Sequence, residues 1–291
     1  MLEDVRKPPS SSSVSIHLCS VRLMVRTQGF HPCNRGSIPL PNTKNKKCCI
    51  LYTKTLLLGK IYHIMRILIL GDGLLGSELI KQTGWNYLST DKDKIDVLND
   101  FGGFVSKVYE FKPTVIINCI GYTKTYETER QHHWDLNYKF VVDLVDMCNN
   151  FGYKLVHVST DYIYANSKNK KSEEDIPVHQ ETWYSYTKLI SDAYVQVRAN
   201  DYLMFRCSFK PKPFPYEKAY VNIMGNFDYV DVLAKQMVSL IVEERTGVWN
   251  IGTEFKSVYE LAIQTRPQVN FNYTNQLPII EMDLSKFNSR K

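Results

Sequence analysis

The order of apolar and polar positions changes character near residue 65. From there, short apolar runs alternate with amphipathic stretches. "RILIL" (66–70) is a continuous apolar run of strand length, "LLGSELIKQT" (74–83) puts Leu75, Leu79 and Ile80 on one helical face, and "NYLST" (86–90) reads as a second strand. "DKDKIDVLNDFGGFVSKVYEFKP" (91–113) carries a loop and a helix, and "TVIINCIG" (114–121) is a third buried strand whose β-branched run ends at Gly121. A helix is predicted from about Trp134 to Asn150, because Leu136, Phe140, Val141, Leu144, Val145 and Cys148 recur at helical spacing; "KLVHVST" (154–160) follows as another strand. Strands alternating with helices through short connections predict an α/β fold, a doubly wound parallel sheet with right-handed crossovers and helices on both faces.

In such a sheet, ligands sit at the carboxyl ends of the strands. This directs attention to Gly71 through Gly76, Asp91 through Val97, Cys119 through Thr123 and Ser159 through Tyr162. The first of these is "GDGLLG", Gly71, Asp72, Gly73, Leu74, Leu75 and Gly76, placed between a strand and a helix. The physical roles of its glycines are distinct: the first permits the tight turn, the second lets backbone approach a pyrophosphate, and the third lets helix pack on strand. The helix N-terminus then faces the anion. Nucleotide binding is the expectation here, and the strand ends Asp91, Asp96, Val97, Cys119, Ile120 and Gly121 join the turn as its candidate contacts.

Residues 1–64 behave differently. They begin with "KPPSSSS" at 7–13, hold no sustained hydrophobic period, and their most apolar stretch, 48–64, is broken by Lys54 and Lys60. No membrane span is predicted from that. The chain of 291 residues has a net charge of +6, but residues 1–64 carry 10 Lys and Arg against 2 Asp and Glu, a balance of +8. Residues 65–291 are left with 26 against 28, a balance of −2, so the body offers no electrostatic case for a nucleic-acid partner. The expectation is an N-terminal extension over 1–64, disordered or foreign to the native protein, with Met65 as the functional start. Cys119, Cys148 and Cys207 in the body form no C-x-x-C pair and no metal-ligand spacing, which suggests a reducing, cytoplasmic setting and no metal.

Candidate chemistry follows "HVSTDYIY" (157–164). "ETWYSYTKLISDAYVQV" (181–197) reads as a helix that holds Tyr184 and Lys188 four residues apart on one face. A phenol of reference pKa ~10 is drawn toward useful acid–base work by a neighbouring ammonium. Tyr164 and Lys168 repeat the spacing, but in an Asn/Lys-rich loop with no periodic helix to carry it, so that copy reads as accidental. His132, His133, His157 and His179 form no cluster and read as structural or surface residues.

Taken together, these residues resemble the extended short-chain dehydrogenases/reductases, and within them the dTDP-4-dehydrorhamnose reductase family. The resemblance covers most of 65–291. It rests on the glycine turn, on "NCIGYT" (118–123) followed by Glu127 and Glu129, on Asn137, on "STDYIY" (159–164), on "YSYTK" (184–188) and on the late "MDLSKFN" (282–288). It implies a Rossmann-type fold, NADPH or NADH as cofactor, and reduction of the 4-keto group of a nucleotide-linked 4-keto-6-deoxyhexose, dTDP- or UDP-4-dehydrorhamnose. Carried over by position, Tyr184 protonates the sugar oxygen, Lys188 holds the nicotinamide ribose and tunes the tyrosine, and Thr160 binds the same oxygen. Thr123 and Asp161 then line the sugar pocket with Thr160, and Asp96 and Val97 flank the adenine.

Three departures stand out. "GDGLLG" is one residue shorter than the G-x-x-G-x-x-G spacing of extended members, the body from Met65 is short enough to imply a trimmed C-terminal substrate part, placed at about 205–291, and "CSFKPKPFPYEKAY" (207–220) is unlike the family. The last is either a substrate-recognition loop or a rigid connector. Asp91 at the second strand's end favours a free ribose hydroxyl, whereas Lys92 beside it suits a 2′-phosphate. A bifunctional 3,5-epimerase/4-reductase on a UDP- or GDP-linked sugar, with Cys119 and Cys207 as nominal acid–base groups, and a non-catalytic dinucleotide-binding regulatory subunit are the alternatives. A homodimer is one open assembly.

Overall fold

A computed structural model describes residues 65–275 and 279–290. The expected N-terminal extension over 1–64 therefore lies outside the described residues. The described chain opens with β1 (Ile67–Leu70), α1 (Leu74–Thr83), β2 (Asn86–Leu88), α2 (Phe101–Phe111) and β3 (Val115–Asn118). It continues with α3 (Arg130–Trp134), a π-helical turn at Asp135–Lys139, α4 (Phe140–Phe151), β4 (Lys154–Val158), a 3-10 turn at Asp161–Tyr164, α5 (Trp183–Arg198) and β5 (Tyr202–Arg206). Beyond these come β6 (Phe209–Lys210), β7 (Lys218–Tyr220), β8 (Met224–Gly225), β9 (Asp228–Tyr229), α6 (Val230–Val242) and β10 (Gly247–Asn250). Last are β11 (Lys256–Ser257), α7 (Val258–Ile263), β12 (Asn270–Asn272) and α8 (Ser285–Asn288).

Six strands form one sheet in the order β10-β5-β4-β3-β1-β2, every neighbouring pair parallel. This is the doubly wound arrangement expected from the alternating pattern. The period of two along β1 explains the two layers: Ile67 and Ile69 pack with Leu75, Leu79 and the α6 residues Leu233, Met237 and Leu240, while Leu68 and Leu70 pack with Phe104, Val108, Phe140 and Leu144. The strand order reverses direction between β1 and β3, which places a crevice outside their carboxyl ends.

Two elements differ from the sequence expectation. The helix expected from about Trp134 begins earlier, at Arg130, because Glu129 caps it by accepting from the backbone N–H groups of Gln131 and His132. The stretch 205–291 is not all appended to the sheet. Within it β10 is the sheet's edge strand and α6 covers α1, both part of the dinucleotide-fold layer. The remainder makes two-stranded ladders around a small core of Phe214, Ala219, Phe227, Tyr229, Leu261 and Val269. Ile280, Met282 and Leu284, from the late segment, pack on Ile163 and Tyr164 just after β4.

Candidate active site

The glycine turn is built as its residue types require. Gly71 takes φ +88°, where a side chain is strained, and its N–H donates to Leu88 O at 2.8 Å, fastening β1 to β2. A Cβ on Gly76 would stand 1.9 Å from Gly71 O, so α1 approaches the turn as closely as only glycine allows. A Cβ on Gly73 would meet nothing within 4 Å, so this backbone faces open space at the start of α1. These are the features a dinucleotide diphosphate needs: exposed backbone at a helix N-terminus and no side chain in the way. The shortened spacing is compatible with that cradle.

Gly71, Asp72, Gly73, Asp91, Asp96, Val97, Cys119, Ile120 and Gly121 line one cavity of about 780 Å³. Leu74 and Leu75 line a second, of about 440 Å³, together with Thr123, Thr160, Tyr184 and Lys188. Both cavities share Gly73, Cys119, Ile120 and Gly121, so they run on from one to the other along the strand ends. Two of the residues singled out from the sequence lie behind these walls. Gly76 is buried against Gly71, and Asp161, 2% exposed, sits behind Thr160, whose Oγ1 donates to Asp161 Oδ1 at 3.3 Å.

Tyr184 and Lys188 project from the first turns of α5, which Thr182 caps by accepting from the Ser185 N–H. Tyr184 and Thr160 face the same cavity, and Lys188 Nζ donates to Val158 O at 2.6 Å. Burial lowers the Lys188 pKa to about 8 and raises that of Tyr184 to about 12, the Thr160 hydroxyl offsetting part of the latter. The expected lowering of the phenol by its lysine neighbour is therefore not what governs it: desolvation wins, and the phenol stays protonated at neutral pH. Burial also raises the carboxyl of Asp161 to about 6, with Lys210 and the Thr160 hydroxyl pulling the other way. Asn137, brought inward by the π-helical turn, accepts from the Tyr122 N–H at 2.8 Å and donates to Tyr122 O at 3.0 Å, clamping the loop after β3 that carries Thr123.

Sequence reasoning did not single out Phe209, Lys210 or Tyr216, which also line the second cavity with Tyr162. All three lie in the divergent 207–220 segment, and that divergence was the available signal. The segment thus forms part of the cavity wall. Burial raises Cys119 to about 12 and raises Cys207 as well, so neither thiol is available as a thiolate base. Among the described residues, no three of His, Cys, Asp and Glu gather where they could hold a metal ion, and no helix is long and apolar enough to cross a membrane.

An open parallel sheet with a glycine turn at its switch point and a Tyr–Lys pair at the adjoining strand end defines an α/β fold of the Rossmann type. Residues 65–239 match the model of the RmlD substrate binding domain, and the chain belongs to that family. It is 26% identical over 181 residues to the dTDP-4-dehydrorhamnose reductase of Aggregatibacter actinomycetemcomitans, covering 59% of this chain and 61% of that protein. It is 30% identical over 122 residues to the Streptomyces griseus protein of the same name, covering 40% of each. The chain thus spans less than two thirds of the length of these curated relatives. Among solved structures, the fold is similar to dTDP-4-dehydrorhamnose reductase from Bacillus anthracis in complex with NADP, with TM-score 0.67, 21% identity, and coverage of 78% of this chain and 94% of that one. It is also similar to the Bordetella bronchiseptica enzyme WbmG in complex with NAD and UDP, with TM-score 0.63, 18% identity, and coverage of 77% and 88%.

Proposed function

We propose that this protein is an NAD(P)H-dependent reductase of a nucleotide-linked 4-keto-6-deoxyhexose, dTDP- or UDP-4-dehydrorhamnose, working in nucleotide-sugar biosynthesis. The observation that carries the reading is that Tyr184, Lys188 and Thr160 line a cavity continuous with the glycine-turn cavity. Relatives named dTDP-4-dehydrorhamnose reductase, and neighbours of the same fold solved with NADP or with NAD and UDP, support it. The Gly71–Gly76 turn receives the cofactor diphosphate, with Asp72, Leu74 and Leu75 beside it. The strand ends Asp91, Asp96, Val97, Cys119, Ile120 and Gly121 take the rest of the dinucleotide.

A reduced nicotinamide, when bound there, would supply a hydride to the carbonyl carbon. Oxygen then acquires negative charge, and the chain's task is to hold and protonate it. Tyr184, protonated at neutral pH because burial raises it to about 12, gives its proton to that oxygen. Thr160 turns its hydroxyl proton from Asp161 to the same atom and fixes the carbonyl against the phenol. Lys188, tied to Val158 O, offers its cationic head to the nicotinamide ribose and favours the phenolate left behind. Thr123 contacts the sugar, and Asp161, behind Thr160, accepts the Thr160 hydroxyl until a substrate oxygen takes it. The segments of 205–291 outside the main sheet supply the sugar-side wall.

A cytoplasmic setting agrees with the free thiols of Cys119, Cys148 and Cys207. Sedimentation of the full chain tests the homodimer. The deciding experiment is NAD(P)H oxidation by the full chain with dTDP- and UDP-linked 4-keto-6-deoxyglucose, each with and without a separate 3,5-epimerase. Turnover that requires the epimerase is the expected result. Turnover without it assigns epimerisation to this chain, and dinucleotide binding without turnover favours the regulatory-subunit reading.

A further inference from the structure

Thr160 has a single hydroxyl proton, and in this structure that proton is spoken for. A hydroxyl carries one donor and two lone pairs. The Thr160 proton goes to Asp161 Oδ1 at 3.3 Å, and one lone pair takes the Tyr162 N–H, also at 3.3 Å. What remains for the cavity is a lone pair, whereas the oxygen of a carbonyl under reduction needs a donor. Turning the proton toward that oxygen strips the Asp161 carboxylate, 2% exposed, of its hydroxyl. It also points a Thr160 lone pair at an acceptor-only group, which costs free energy in a buried place.

One change removes the conflict. A carboxyl that carries a proton donates to Thr160 Oγ, and the Thr160 proton is then free to face the cavity. The surroundings of Asp161 suit such a change. Among the described residues that face it, Tyr126, Tyr162, Tyr184 and Cys207 are each raised by burial before any other cause, so all four are neutral at neutral pH. Lys210 brings the opposing positive charge. The chain leading into β6, which carries Lys210, is fastened to the 3-10 turn by the Asp161 N–H, which donates to Cys207 O at 3.3 Å.

We propose that Asp161 is a positioning residue that acts as a neutral carboxylic acid: it donates to Thr160 Oγ, commits the Thr160 proton to the substrate oxygen, and is opposed in taking up its own proton by Lys210. The inference rests on the ketone-reductase reading above and deepens it by assigning a protonation state to the wall behind Thr160. The Asp161 proton is not consumed: the carbonyl carbon receives the hydride, its oxygen receives the Tyr184 proton, and the carboxyl proton stays between Asp161 and Thr160.

The test follows single-turnover hydride transfer by the full chain between about pH 5.5 and 7.5, as loss of nicotinamide absorbance. Cofactor and dTDP-linked 4-keto-6-deoxyglucose, already equilibrated with a separate 3,5-epimerase, are saturating. Lys188 and Tyr184 lose their protons only above this range. In wild type the rate rises about tenfold or more as pH falls, following a carboxyl that burial brings to about 6. Asp161→Asn, whose amide N–H donates to Thr160 Oγ at every pH, gives the fast rate throughout. Lys210→Met removes the opposing cation and moves the midpoint upward by about one unit or more. The same titration is read with neither cofactor nor sugar present, from the carboxylic acid C=O infrared band that Asp161→Asn lacks, and Lys210→Met shifts it in the same direction. A wild-type rate flat with pH, a pH dependence that survives Asp161→Asn, loss of hydride transfer in folded Asp161→Asn, or a midpoint unmoved by Lys210→Met overturns the proposal alone. Absence of hydride transfer by wild type at any pH, with the dTDP- or the UDP-linked sugar, overturns it together with the reading on which it rests.

Discussion

Tyr184 with Lys188 and Tyr164 with Lys168 share one spacing and two different fates. The first pair stands on α5 with both residues on the wall of the second cavity, the phenol beside Thr160 on that wall and the ammonium bonded to Val158 O. The second pair is divided: Lys168 is exposed, while Tyr164 is 2% exposed and donates to Asn250 Oδ1 at 3.2 Å and to Ser172 O at 3.1 Å. Arg206 donates to the Tyr164 oxygen and makes a two-pronged pair with Asp192, at 3.0 and 2.8 Å, which also accepts from Ser159. A four-residue spacing therefore acquires chemical meaning only when a helix carries both residues to an open strand end. Where the chain turns away, the same tyrosine becomes a hydrogen-bonding post inside the fold.

That contrast can be broken most forcefully at Tyr184. Tyr184→Phe is expected to lower kcat by about 10²–10⁴-fold, the usual worth of a positioned general acid, with the cofactor dissociation constant little changed. Equal loss from Tyr164→Phe would exchange the two assignments. Next in size is Asp192→Ala, which leaves the Arg206 guanidinium buried without its partner and is expected to cost about 3–5 kcal/mol in denaturant unfolding. Tyr164→Phe removes a buried hydroxyl from its acceptors and is expected to cost about 1–3 kcal/mol while turnover persists. Lys168→Ala, at an exposed loop position, should fall within about 0.5 kcal/mol of wild type.

Acidity sharpens the same comparison. Lys188 is pushed down to about 8 by burial, so its cation is lost as pH rises through that value, and kcat/KM is expected to fall on the alkaline side near pH 8. Lys188→Arg should move that limb upward, because a guanidinium keeps its proton. Stability changes with the opposite sign. Between about pH 8 and the ordinary lysine value the unfolded chain binds the extra proton, so folding gains stability as pH rises across that window. An alkaline limb indifferent to Lys188→Arg would detach the lysine from catalysis.

Much of this was legible in local pattern. The runs at 66–70, 114–121 and 154–160 declared buried strands, and Gly71, Gly73 and Gly76 declared a turn because strand and helix flanked them. What stayed hidden depended on contacts distant in sequence. Nothing near Asp72 reveals that Lys92 reaches it, and nothing in "DLNYK" (135–139) signals a π-helical turn. Asp161 and Thr160 are neighbours in sequence, yet only the 3-10 turn decides that one hydroxyl faces the cavity and one carboxyl is buried behind it. The lowering of Tyr184 expected from charge alone was reversed for a similar reason, since desolvation is a property of the packed surroundings rather than of residue spacing.

The π-helical turn between α3 and α4 bears on which length changes this chain tolerates. A π turn holds one residue more than an α turn, and the surplus is absorbed where Asn137 grips Tyr122. Deleting a single residue within 135–139 would let the helix close into ordinary α geometry, leaving its two sides in phase but drawing in the bulge that carries Asn137. Asn137 would leave the loop it grips, although neither the sheet nor the Tyr184 helix had been touched. Surface loops elsewhere forgive a lost residue; this interior turn would register it as a lost active-site wall.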